Sequence, residues 1–201
     1  MNERDHGDQS TTTGASKNDA ARLAGRLGLE PPARGGKPRE PVDCGDFDMR
    51  IARDGTWFYR GSPIGRKPLV KLFSTVLRRD SAGVYWLQTP VERGRIAVDD
   101  APFVAVAMEV DGTGRDQTLR FTTNLDQTVA AGSAHPIRVA IDPESGEPSP
   151  YVTVRDGLEA LIARPVFYDL VTLAEERDVD GRTALGVWSG GCFFTLGPID
   201  Y

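Results

Sequence analysis

Two stretches of this chain, Ile51 to Pro90 and Val139 to Pro198, carry the same succession of signals: strand, glycine turn, apolar helix, acidic glycine turn, closing strand. In the first, the closing strand is Tyr85-Trp86-Leu87-Gln88-Thr89-Pro90. In the second, the turn is Glu144-Ser145-Gly146, the helical run starts near Leu158, the next turn is Asp180-Gly181, and the closing strand is Phe193 to Pro198. A duplicated unit buries its apolar face against its copy, and the seam between copies is a natural place for a ligand. A two-lobed architecture follows as the expectation.

Composition bounds what the lobes can do. The 201 residues are 39% hydrophobic and 26% charged, ordinary for a globular protein. A net charge of −5 argues against non-specific binding to nucleic acid or anionic membranes, which depends on clustered Lys and Arg. It leaves room for one anionic small molecule held by local arginines. Cys44 and Cys192 match no metal or redox spacing and read as reduced thiols. No apolar run approaches the roughly 20 residues that cross a bilayer, and Met1 to Asp5 begin no signal peptide. The expected location is the cytoplasm.

Residues 1–43 contain no Phe, Trp or Tyr and read as a flexible N-terminal tail. Within it, Ser16 caps a short helix whose stripe Ala20, Leu23, Ala24 and Leu27 is long enough to dock and too short to stand alone. The first lobe, 44–100, opens with a hairpin from Asp48 to Tyr59 around Asp54-Gly55. Pro68 starts a helix along Leu69, Leu72, Phe73 and Val76, which ends at Asp80 to Gly83. The second lobe, 101–201, pairs Phe103–Val110 with Thr118–Thr122, and Ile137–Ile141 with Tyr151–Val154. Asp156-Gly157-Leu158-Glu159 resembles a capping box opening a helix that Pro165 breaks or kinks. Ala184–Ser189 and Cys192–Leu196 close the sheet across Gly190-Gly191. The absence of regular βαβ alternation favours α+β with mainly antiparallel sheets, each with a packed helix.

No catalytic set can be assembled. His6 and His135 are the two histidines, so no Ser-His-Asp or Cys-His arrangement emerges, and no metal ligands cluster. Asp99 and Asp100 are adjacent on a strand and point to opposite faces. Gly190-Gly191 beside Trp188 and Ser189 offers backbone that can approach a ligand next to an aromatic plane. Arg66 precedes the first helix and Arg155 the second, so each lobe sets a guanidinium where free N–H groups and a partial positive charge favour an anion.

Asp54-Gly55-Thr56-Trp57-Phe58-Tyr59-Arg60-Gly61-Ser62-Pro63-Ile64, Leu87-Gln88-Thr89-Pro90-Val91-Glu92 and Asp99-Asp100-Ala101-Pro102-Phe103 resemble the bacterial family called domain of unknown function 1285. Val154 to Tyr168 and Val187-Trp188-Ser189-Gly190-Gly191 look like its second half, so the resemblance spans Gly45 to Pro198. It implies a duplicated β-rich core whose C-terminal half is similar to pleckstrin-homology folds. It also implies no established enzymatic activity, a nucleotide-like ligand between the halves and a part in bacterial signalling.

The expectation is a non-enzymatic binder of a small anionic, nucleotide-type ligand between the lobes, with no cofactor and no metal. Arg66 and Arg155 neutralise phosphate, Trp188 or Tyr168 stacks on a base, and Thr89 and Glu92, with Ser189 nearby, supply hydrogen bonds. The alternative is a protein-interaction module that docks a partner chain through a sheet edge or apolar groove.

Overall fold

The computed structural model describes residues 13–27, 41–179 and 181–198, with side chains from Asp19 onward. Helix α1 (Thr13–Arg26) leads, and its stripe is docked: Ala20, Leu23, Ala24 and Leu27 are buried in the main core. Ser16 lies inside this helix and not at its start. Residues 1–12 and 28–40, Gly28 among them, lie outside the described residues.

Alternation builds the first sheet. Strand β1 (Val42–Ile51) buries Phe47, Met49 and Ile51 on one face, as period-two patterning requires. It turns at Asp54-Gly55 into β2 (Trp57–Tyr59), with Met49 opposite Tyr59. Arg60 and Gly61, both at positive φ, form the two-residue hairpin to β3 (Ser62–Pro63). Helix α2 (Lys67–Thr75) follows with Pro68 in its first turn, burying Val70, Phe73 and Ser74. Phe73 stacks on Trp57, centroids 6.4 Å apart. Then come β4 (Leu77–Arg79), β5 (Tyr85–Gln88) and β6 (Glu92–Val98). Asp80 to Gly83 is the β4–β5 turn, so the sequence reading missed one short strand after the helix.

The second half starts with β7 (Phe103–Asp111), β8 (Thr118–Thr123) and β9 (Thr128–Ala130). It continues through β10 (Ile137–Ile141), β11 (Pro148–Arg155), β12 (Leu158–Ile162), α3 (Arg164–Thr172), β13 (Glu175–Val179), β14 (Arg182–Ser189) and β15 (Cys192–Pro198). Helix α3 lies against β7 and β14 and buries Val166 and Leu170.

The helix expected from Leu158 is a strand. Asp156 and Gly157 both have positive φ, 42° and 73°, and make the two-residue turn that pairs Arg155 with Leu158. Leu158, Ala160 and Ile162 then bury every second residue. Pro165 interrupts nothing, because it stands in the first turn of α3, where its missing N–H costs no hydrogen bond.

The fold is mixed α+β, dominated by strands. One six-stranded sheet has the order β3-β2-β1-β6-β5-β4, another β10-β11-β12-β7-β8-β9, and β13-β14-β15 form a third. The two larger sheets are mainly antiparallel, as expected, but mixed, because β1 runs parallel to β6 and β12 parallel to β7. Three strands, a helix and three strands occur twice, as β1–β6 around α2 and as β10–β15 around α3. The two copies of that element order do not share a sheet topology, because β10–β12 and β13–β15 lie in different sheets. The topology that repeats is β3-β2-β1-β6-β5-β4 with β9-β8-β7-β12-β11-β10, which matches β1–β6 to β7–β12 and not Tyr85–Pro90 to Phe193–Pro198 as the sequence suggested. Among the described residues, no helix is long and apolar enough to cross a membrane.

Candidate functional site

The turn between β1 and β2 carries the first half into contact with the second. Ala52 and Thr56 close it, and the Asp54 carboxylate accepts the Thr56 N–H at 2.9 Å, which holds that carboxyl below its usual range. Gly55 sits at φ +82° and is buried, where an added Cβ would lie 2.4 Å from Asn124 Nδ2. Asn124 in turn donates to the Gly55 carbonyl at 3.4 Å and accepts the Val104 N–H at 3.1 Å. Docking this turn on the second half fixes the position of its neighbour, Arg53.

Arg53 reaches across the seam. Its Nε lies 3.1 Å from Asp100 Oδ2, and its Nη2 donates to Ser149 Oγ at 3.1 Å. Asp100 is held from its other side by the Tyr151 hydroxyl, which donates at 2.7 Å. Burial first, and then this hydrogen bond, push the Tyr151 pKa up. Arg138 lies over the Tyr151 ring at 4.1 Å and pairs with Glu159 through two bonds of 2.6 Å. Arg53 is therefore a guanidinium pre-set by a chain of polar contacts, the arrangement an anion site needs. The adjacent Asp99 pairs instead with Arg50, so the two aspartates do serve opposite directions.

Arg53 forms one wall of a cleft of about 670 Å3. The start of α3 forms the facing wall, with Arg164, Phe167 and Tyr168. Its N-cap, Ala163, supplies no side-chain cap. Pro165 has no N–H and the Phe167 N–H bonds to the Ala163 carbonyl, so what the helix start offers an anion is its partial positive charge and at most the N–H groups of Arg164 and Val166. Pro148 and Pro150 flank Ser149 and, with Ile162, make part of the lining apolar. Glu147 stands at the rim, paired with Arg164. Two guanidiniums, a hydroxyl, an uncapped helix start and two aromatic rings on apolar walls can hold an amphipathic anion. Among the described residues, no cluster of three His, Cys, Asp or Glu could hold a metal ion.

Of the seven residues singled out from sequence, Tyr168 alone lines this cleft; its side chain is exposed. Arg66 is the exposed N-cap of α2. Thr89 is buried in the β5–β6 turn, where its hydroxyl donates to the Glu92 carbonyl at 3.1 Å and accepts the Val91 and Glu92 N–H groups. Glu92 accepts the Cys44 thiol at 3.3 Å. Trp188 is buried, donates from Nε1 to Glu175 at 2.5 Å, and lies between 4.5 and 4.8 Å from the guanidiniums of Arg115 and Arg177. Ser189 is fully buried, accepting the Leu119 N–H at 2.9 Å and donating to the Ala131 carbonyl at 2.8 Å.

Arg155 requires the largest correction. It ends a strand and stands at the wrong end of a helix for an anion: it donates to the Ser74 carbonyl in the last turn of α2 and packs on Phe103. Burial first, and Arg78 second, lower its pKa. A cation there offsets the negative end of α2 and joins the two halves. The signal for the cleft arginine lay a few residues on, in the Arg164-Pro165 pair that matches Lys67-Pro68 at the start of α2. Arg53, Ser149 and Phe167 left no local signal, because separate turns and a helix face bring them together.

Two mixed sheets in successive halves, with a basic, partly apolar cleft to which Arg53 of the first half and α3 of the second contribute, define a two-part α+β protein. The chain belongs to the DUF1285 family: residues 37–101 match its N-terminal domain, a domain of unknown function, and residues 102–196 its C-terminal domain, a protein of unknown function. A crystal structure of a DUF1285 family protein from Silicibacter pomeroyi DSS-3 is 51% identical, with a TM-score of 0.74 over 83% of this chain and 91% of that one. Another, from Shewanella baltica OS155, is 25% identical, with a TM-score of 0.48 over 62% and 91%. No curated protein matches.

Proposed function

We propose that this protein is a non-enzymatic binder of a small anionic, nucleotide-type ligand held in the cleft between its halves, in a bacterial signalling role. The observation that carries the reading is the convergence of Arg53, from the first half, with Arg164 at the uncapped start of α3, beside Tyr168 and Phe167. The guanidiniums meet the phosphate, and an aromatic side chain offers its face to a base. The shared strand order of the two six-stranded sheets supports an origin by duplication, and the strand-rich second half is where the pleckstrin-like resemblance is to be sought.

A thermal-shift screen against nucleotides tests the reading, since a ligand at 100 times its dissociation constant stabilises by about 2.7 kcal/mol. Arg53→Ala or Arg164→Ala should then weaken binding about tenfold or more, because a charged hydrogen bond contributes about 1.5 to 3 kcal/mol. Arg155→Ala should lower the melting temperature and leave the affinity alone. If no anion shifts the melting temperature, or both cleft arginines are dispensable for binding, the interaction-module reading takes over. What favours that alternative is the apolar groove between β10 and β15, with Ile141 half exposed at its edge.

A further inference from the structure

The cleft's two guanidiniums each face a carboxylate, Arg53 that of Asp100 and Arg164 that of Glu147. An entering anion therefore competes with a carboxylate for each guanidinium charge. The two are not equally replaceable. Asp100 is 17% exposed and also accepts the Tyr151 hydroxyl, so an anion that displaced it from Arg53 would leave a shielded carboxylate without its cation. Glu147 is 56% exposed, its partner Arg164 is 67% exposed, and it ends the turn from Asp142, which is exposed throughout. So open an ion pair is weak and exchanges readily for a stronger one.

We propose that Glu147 is the specificity-determining residue of the cleft: it occupies Arg164 when no ligand is bound and gives way only to a ligand that brings its own negative charge. This rests on the reading of the cleft as an anion site. A phosphate monoester, with up to two negative charges and three acceptor oxygens, replaces the single carboxylate on the guanidinium with a stronger charge-assisted contact. A neutral ligand of the same shape finds Arg164 already paired and gains nothing from it. Glu147 thus lowers the affinity for anions while setting the charge threshold for entry.

Calorimetric titration of the full chain with AMP, adenosine and inorganic phosphate tests this. Glu147→Gln should tighten AMP and phosphate about two- to fivefold and leave adenosine unchanged. Glu144→Gln removes the same charge from the same turn without touching Arg164, and should change AMP affinity less than Glu147→Gln does. In an Arg164→Ala background the Glu147→Gln gain should disappear, because the coupling runs through that pair. If Arg164→Ala weakens AMP while Glu147→Gln matches Glu144→Gln, the cleft binds anions and Glu147 has no selective role. If neither AMP nor phosphate binds the unaltered protein, the anion reading falls and this inference with it.

Discussion

Gly55 shows how one residue can fix both backbone and site. Its φ of +82° disfavours any side chain, and the space its Cβ would need is held by Asn124 of the other half. Gly55→Ala should lower stability by about 1 to 3 kcal/mol from backbone strain alone, read as a drop in urea midpoint at constant slope. An unchanged midpoint would mean that Gly55 is not held at positive φ. Arg155 shows the limit of reading residues singly. A guanidinium before an apolar run suggests a helix start, yet Asp156-Gly157 makes a hairpin there and sends the side chain to the far end of α2. Local sequence carried both signals, and pairing with β12 decided between them.

At the scale of elements, what was legible obeyed a short-range rule. The hairpins β1–β2, β7–β8, β10–β11 and β14–β15 and the helix after Pro68 followed from alternation, turn residues and helical spacing. Strand β12 was missed because Leu158-Glu159-Ala160-Leu161-Ile162 suits both periods, and the parallel pairs were missed because partners so far apart leave no local mark. The cleft was illegible for the same reason, since Arg53 and Arg164 meet only once both halves have folded. Helix α1 changes the expectation for the N-terminus. With Leu27 1% exposed and Leu23 5% exposed, Leu27→Ala should cost about 2 to 3 kcal/mol in chemical denaturation. A loss within error would show that α1 adds nothing to the stability of the core.

For the molecule as a whole, charge pairing sets the response to acid. Hydrogen bonds from Lys67 and Lys71 in the first half hold the Asp126 carboxyl of the second below its ordinary range, and Arg50 does the same for Asp99. A depressed folded-state pKa means that the unfolded chain binds protons first, so stability is full above the unfolded value and is lost as pH falls through the carboxylate range. Urea midpoints measured from about pH 6 down to about pH 3 should fall, and Asp126→Asn should make the fall shallower. Equal slopes would remove Asp126 from the account. The confinement of every strand ladder to one side of the junction between Val98 and Phe103 has a consequence for synthesis. As the chain leaves the ribosome, residues 42–98 can complete their whole sheet before β7 emerges. The nascent first half then waits with the Gly55 and Ser74 carbonyls lacking their partners, Asn124 and Arg155, so the second half arrives at a surface already shaped to receive it.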